Sequence, residues 1–285
     1  MNIQQTLIKA SKILKNNKIP TASLEAEVLL AFILNKPKEY LYAYPEKELT
    51  VRQQKKFTGL INRREKAEPV AYLTKNKEFF GLNFFVDKQV LIPRPETELL
   101  VEEILKIAKN SNSKKFTIAD VGTGSGCIAV ALAKNLPDAK IIGTDNSAGA
   151  LTVAGFNAKH NRVNVKFFRG SLLAPLKKKS INIIAANLPY GWRVWKNDHS
   201  IPAKSLKFEP PKALFTGENG LLLYRRLFEQ ISEKIRKPKF VVCEFDPRQA
   251  KSIVKLAKKY MPEYFTEIKE DLAGHNRILV IKKEP

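Results

Sequence analysis

The sequence predicts an α/β protein whose larger part is a doubly wound, mostly parallel sheet, preceded by a small N-terminal helical domain and a β-hairpin linker. Three observations carry this expectation. From residue 115 on, short apolar strands alternate with helical stretches, the pattern of repeated strand–helix–strand crossovers. Residues 1–66 instead place apolar side chains at three- and four-residue spacing, the period of helices. Between them, residues 69–92 are rich in β-formers broken by Lys75-Asn76-Lys77 and by Gly81, which reads as a hairpin.

In the first part, Leu7, Ile8, Ile13 and Leu14, then Leu24, Val28, Leu29, Phe32 and Ile33, form the apolar stripes. Pro20, Pro37 and Pro45 punctuate them. Thr21 or Ser23 is placed to cap one helix and Thr50 the next, so residues 1–68 should form a bundle of three or four short helices. After the hairpin, Pro95 suits a first helical position, and Glu96 and Glu98 favour the positive end of a helix running to about Lys109. Seven strands are expected in 93–285, at 116–121, 140–144, 163–168, 181–186, 240–245, 264–268 and 277–281. Helices should lie between them, near 127, at 148–160 and at 220–235, with a long loop from Gly191 to about Thr216.

The chain carries 50 Lys+Arg against 28 Asp+Glu, a net charge of +22 spread as +6 over residues 1–70 and +16 over 71–285. There is no basic arm, and a positive surface of this kind favours encounter with polyanions without specifying a reaction. Apolar runs such as 28–34 fall short of the roughly 20 residues of a bilayer span, and the first residues carry no apolar signal core. The expectation is a cytoplasmic protein with no membrane partner. Cys127 and Cys243 are far apart, and His160, His199 and His275 are scattered, so neither a disulfide nor a metal site is expected.

The strongest local signal is Asp120-Val121-Gly122-Thr123-Gly124-Ser125-Gly126, which ends a strand and opens a helix. Glycines let the backbone approach a ligand, and the helix start offers unpaired N–H groups. A P-loop lacks its Gly-Lys here, a Ser elbow lacks its flanking glycines, and the dinucleotide fingerprint survives only loosely from Gly124 with Ala129. Asp145 ends the second strand about 20 residues beyond the loop, where such folds use an acid to accept bonds from ribose hydroxyls. Another strand ends Asn187-Leu188-Pro189-Tyr190. The Asn187 side-chain oxygen and the Leu188 carbonyl can accept both N–H bonds of a planar NH₂ group, Pro189 stiffens the turn, and the Tyr190 ring can lie flat on the group. Such positioning is what a delocalised, poorly nucleophilic nitrogen requires.

The glycine loop resembles motif I of class I S-adenosylmethionine (AdoMet) methyltransferases, and Asn-Leu-Pro-Tyr resembles the Asn-Pro-Pro-Tyr motif of amino-methyltransferases. With Glu68–Thr74, Glu78–Leu82, Val90–Leu100, Glu209–Leu214, Gly217–Leu221 and Asp271–Gly274, the chain is similar nearly throughout to the HemK-type release-factor glutamine methyltransferases. The resemblance implies a seven-stranded Rossmann-like methyltransferase sheet, with the helical domain serving substrate recognition. It also implies transfer of a methyl group from AdoMet to the side-chain amide of the glutamine in the Gly-Gly-Gln tip of class I peptide chain release factors. Carried over, Gly122, Thr123, Gly124, Ser125 and Gly126 border the cofactor, Asp145 its ribose, Leu172 its adenine, and Asn187 both cofactor and amide. Leu188, Pro189 and Tyr190 complete the catalytic set, and Arg94 and Thr97 lie at the pocket. Two departures stand out: Leu188 replaces a Pro, and Ser171 stands where the family often has Asp. Ribosome or RNA proximity is a further expectation. An rRNA adenine-N6 methyltransferase, for which Asn-Leu-Pro-Tyr is also common, and a non-catalytic binding or assembly protein are the alternatives.

Overall fold

The computed structural model describes residues 1–111, 116–191, 201–234 and 236–283. The chain divides into two units, Met1–Asn76 with the described part of Asp198–Phe208, and Lys77–Asn197 with Glu209–Pro285.

In the first unit, Asn2 with Gln5 and Thr50 with Gln53 form capping boxes that start helices Ile3–Asn16 and Val51–Glu65. Thr21 is the N-cap of helix Ala22–Leu34 without a capping bond; its hydroxyl instead donates to Glu25 Oε1 at 2.9 Å. Ile3, Leu14, Leu29, Leu30, Phe57 and Ile61 fill the core between the three helices, each burial stabilising by about 1.5–3 kcal/mol. Ile8, Leu24 and Phe32, counted in the expected stripes, are exposed, because the core-facing stripe of a helix spans little more than about 100°. Buried Arg64 bonds to Glu25 at 2.5 Å, and Ser205 in helix Ile201–Leu206 donates to the Ala67 carbonyl at 2.9 Å.

Residues 69–92 are strand over a shorter stretch than their composition predicts. Val70–Thr74 is a helical turn, with the Pro69 carbonyl accepting from the Tyr72 and Leu73 N–H groups and Lys75 closing it in the left-handed region. Tyr72 and Leu73 are buried, so their bulk fills core space in place of pairing. The hairpin proper is β1 (Asn76–Phe79) and β2 (Leu82–Phe85). Its turn, Phe80-Gly81, has positive φ at both residues (52° and 68°), the backbone of a two-residue hairpin loop.

The second unit holds a seven-stranded sheet of order β5-β4-β3-β6-β7-β9-β8. Its strands are β3 (Thr117–Val121), β4 (Lys140–Asp145), β5 (Val165–Arg169), β6 (Ile183–Ala186), β7 (Phe240–Glu244), β8 (Tyr264–Glu270) and β9 (Asn276–Lys283). The first five are mutually parallel and β9 runs antiparallel to both neighbours. Every residue of β6 is buried, which is why it reads as an unbroken apolar run. The strand order reverses direction at β3, with β4 on one side and β6 on the other, a topological switch point where such sheets open a crevice at their carboxyl ends. The pairing of Val121 with both Thr144 and Ala186 brings Gly122, Asp145 and Asn187, the residues that follow, to one edge. The expected long loop after Gly191 contains helical turns at Ile201–Leu206 and Pro211–Leu214; Trp192, Trp195 and His199 lie outside the described residues. Among the described residues, no helix is long and apolar enough to cross a membrane.

Candidate active site

The loop after β3 is held down before it meets any ligand. The Gly122 and Thr123 N–H groups both donate to the Thr144 carbonyl, at 2.8 and 2.9 Å, and the Gly124 N–H donates to Asp145 Oδ2 at 3.0 Å. Gly122 has φ +76°, and a Cβ there would sit 2.8 Å from Leu188 Cδ2. Gly126, at φ +80°, lets helix Cys127–Asn135 pack against Ala154, which a Cβ would approach to 3.0 Å. Asp145 Oδ1 accepts the Ser147 N–H at 2.9 Å. Each carboxylate oxygen thus spends one acceptor site on the backbone and keeps another for a ligand.

A cavity of about 450 Å³ opens here, within the usual range for small-molecule sites. Gly122, Gly124 and Asp145 form one side, Leu172 another, and Asn187, Leu188 and Pro189 a third. The remaining expected residues stand behind this lining. Thr123 is buried and donates to Asp120 Oδ2 at 2.5 Å, and the Ser125 carbonyl accepts from Asn157 at 2.9 Å. Burial pushes the Asp120 carboxyl up to about 7, against the bonds from Thr123 and the Ala129 N–H that hold it down. Leu172 adopts φ 52°, and its carbonyl accepts the Thr144 hydroxyl at 2.9 Å.

Behind Asn187 lies a buried polar cluster. Asn187 Nδ2 donates to Thr97 Oγ1 and to Glu244 Oε2, both at 2.9 Å, and the Tyr190 hydroxyl donates to Glu244 Oε1 at 2.9 Å. With both amide hydrogens taken, Oδ1 is the group Asn187 presents at the cavity. The Leu188 N–H donates to the Tyr224 hydroxyl at 3.1 Å, and that hydroxyl donates to the Glu244 carbonyl. A proline at 188 has no N–H to give. Burial raises the Glu244 carboxyl above its ordinary range, while bonds from Thr97 and Tyr190 and the charge of Arg277 oppose the shift. Burial likewise raises the Tyr190 hydroxyl, and the Glu244 charge adds to it. Tyr190 does not line the cavity; its hydroxyl is turned to Glu244, and its carbonyl accepts Gln249 Nε2 at 3.1 Å.

Residues 5–74 match the PrmC N-terminal domain family, and residues 95–201 the methyltransferase small domain family. A release factor glutamine methyltransferase of Coxiella burnetii is 37% identical over 99% of this chain and 96% of its own length. One from Koribacter versatilis is 35% identical over 99% of both chains. The chain belongs to the release factor glutamine methyltransferases. Among solved structures, a methyltransferase from Pyrococcus furiosus shares the fold, with a TM-score of 0.53 at 15% identity over 79% of this chain and 99% of that one.

Within this release factor glutamine methyltransferase, two of the segments that carry the family likeness, Val90–Leu100 and Glu209–Leu214, meet at the cavity. Glu209, buried, accepts the Ile92 N–H at 3.0 Å and the Arg94 guanidinium, which ties Pro93-Arg94-Pro95 to the Glu209-Pro210-Pro211 turn. Pro210 and Pro211 then line the cavity, while Arg94 and Thr97 stand behind it. Gly220, at φ +87°, lies so close to the Tyr190 carbonyl that a Cβ would be 2.1 Å away. Sequence reasoning passed over Glu244 and Tyr224. Glu244 ends the fifth strand of the sheet in chain order, directly beside the strand that ends at Asn187, and an acid closing an otherwise apolar strand was the available signal.

Proposed function

We propose that this chain transfers a methyl group from AdoMet to the side-chain amide nitrogen of the glutamine in the Gly-Gly-Gln motif of a class I peptide chain release factor. The observation that carries the reading is the orientation of Asn187, whose two N–H groups are occupied and whose Oδ1 is presented at the cavity. An oxygen there accepts a substrate N–H, and the Leu188 carbonyl is the second acceptor. Holding both N–H groups fixes the plane of the amide and the line of approach of its nitrogen. No strong base is needed, because the amide proton becomes acidic as nitrogen gains its new bond, and two oxygen acceptors stabilise the charge that develops.

The glycine loop, Asp145 and Leu172 are assigned to AdoMet, with Asp145 accepting ribose hydroxyls and Leu172 against the adenine. The open backbone at Gly124, where a Cβ would meet nothing closer than the Gly122 carbonyl at 4.0 Å, and the spare acceptor sites of Asp145 fit that cofactor. When bound, AdoMet supplies the electrophilic methyl. Thr123, Ser125 and Gly126 shape the loop from behind, and Pro189 and Tyr190 hold Asn187 and Leu188 in place. Residues 1–68 are assigned to substrate recognition, 69–92 to the linker and 93–285 to methyl transfer, in the cytoplasm where release factors act.

Incubation with labelled AdoMet, a release factor and rRNA tests the reading. Label is expected in the factor alone and absent when its tip glutamine is replaced. Label in rRNA would favour the adenine-N6 alternative, and failure to bind AdoMet the non-catalytic one. Relatives sharing the release-factor name over nearly the full chain support the first outcome.

A further inference from the structure

At the far end of β7 from Glu244, the sheet carries a second surface feature that the methyl-transfer reading does not use. In the antiparallel register, Phe240 of β7 and Phe265 of β8 both pair with Lys282 of β9. Directly opposed residues project on the same face, so the three side chains form one row, Phe240–Lys282–Phe265, across three adjacent strands. Phe265 is 61% exposed and Lys282 is also exposed. The helix packed on β8, Ala250–Tyr260, lies on the opposite face with Ile253 and Ala257 against Leu279 and Ile281.

The row forms the floor of an open depression of about 1450 Å³ rimmed by lysines. Lys106 pairs with Glu103 at 2.7 Å, Lys237 with Glu263 and Lys269 with Glu267, whereas Lys239 and Lys282 pair with no acid among the described residues. We propose that this face binds single-stranded RNA, with Phe265 stacking on a base and Lys282 and Lys239 contacting phosphates. A basic groove with an exposed aromatic side chain, here Phe265, is an arrangement that holds unpaired bases and backbone together. Polyglutamate would use the lysines but offer Phe265 no planar partner, which makes it the contrasting ligand. The surface is distinct from the catalytic cavity: Phe240 is four residues from Glu244 along β7, about 13 Å at strand rise. It gives part of the +22 charge a binding role that does not depend on the methyl-transfer reading.

Fluorescence anisotropy of the full chain with a labelled single-stranded RNA of about 12 nucleotides tests this. Phe265→Ala is expected to weaken binding at least about fivefold, the low end for loss of one base stack, and Phe265→Trp to retain it. Lys282→Ala is expected to reduce the slope of log K against log salt by about 0.7, one phosphate contact on a single strand. Release-factor methylation should be unchanged in all three, and matching thermal unfolding curves would show that they fold. Absence of RNA binding, equal binding by wild type and Phe265→Ala, or tighter binding of polyglutamate than of RNA would each overturn the proposal.

Discussion

Asn187 Nδ2 and Glu244 Oε2 are 2.9 Å apart although 57 residues separate them in sequence. The register explains the meeting: Ala186 pairs with Cys243, so the residues that follow them stand side by side at the carboxyl ends of β6 and β7. Turning the Asn187 amide over would set its oxygen against a buried carboxylate. Glu244 therefore decides which end of the side chain the cavity receives, and through Tyr190 and Tyr224 it also steadies the rest of the turn.

Glu244→Gln keeps the shape but leaves a single oxygen to accept from Asn187, Tyr190 and Thr97, while its own N–H groups face a donor. The turn should lose its fixed orientation, lowering kcat by about a hundredfold, the scale of a slightly misplaced reactive group. AdoMet affinity, read by calorimetry, should be unchanged. A parallel loss of AdoMet affinity would move Glu244 into the cofactor site.

Gly122→Ala forces a side chain into a left-handed backbone and against Leu188 Cδ2, 2.8 Å from the new methyl. The backbone share alone costs about 1–2 kcal/mol. Adding Leu188→Ala should recover the contact share and leave the backbone share, giving a non-zero coupling energy in a urea-denaturation double-mutant cycle. Strict additivity of the two changes would contradict the proposed packing.

Asp120 should give the fold a pH signature. Its folded carboxyl, raised by burial to about 7, lies above the unfolded value of about 3.9. The native state therefore keeps a proton that the unfolded chain has lost. The stability this contributes is complete below about pH 4 and is lost as pH rises through about 7, a change of the order of a few kcal/mol. Urea midpoints of the wild type should fall between about pH 5 and pH 8 relative to Asp120→Asn, which cannot titrate. Parallel profiles would show that Asp120 is ionised throughout.

Much of this architecture is legible in the chain itself. The buried parallel strands read as short apolar runs because both faces are covered, and the glycine loop, Asp145 and Asn187 announce themselves because each ends a strand. What stayed hidden depends on contacts across long sequence separations. Glu244 shows locally only as an acid closing an apolar strand, and neither it nor Tyr224 tells from sequence that strand pairing places it under the Asn187 turn. The helix at Val70–Thr74 was obscured because β-forming residues were chosen there for bulk in the core. Exposed Phe265 looks in sequence like any alternating strand residue, and only the register reveals its place beside Lys282.

In the proposed function an oriented Asn187 delivers a glutamine amide to the methyl donor. Mass spectrometry of the Gly-Gly-Gln peptide, after reaction of a release factor with AdoMet and either wild type or Asn187→Ala, tests it most directly. One added methyl on the glutamine side chain with the wild type and none with Asn187→Ala, at matched AdoMet affinity, is the expected result. An unmodified glutamine with the wild type, or equal methylation by Asn187→Ala, would contradict it.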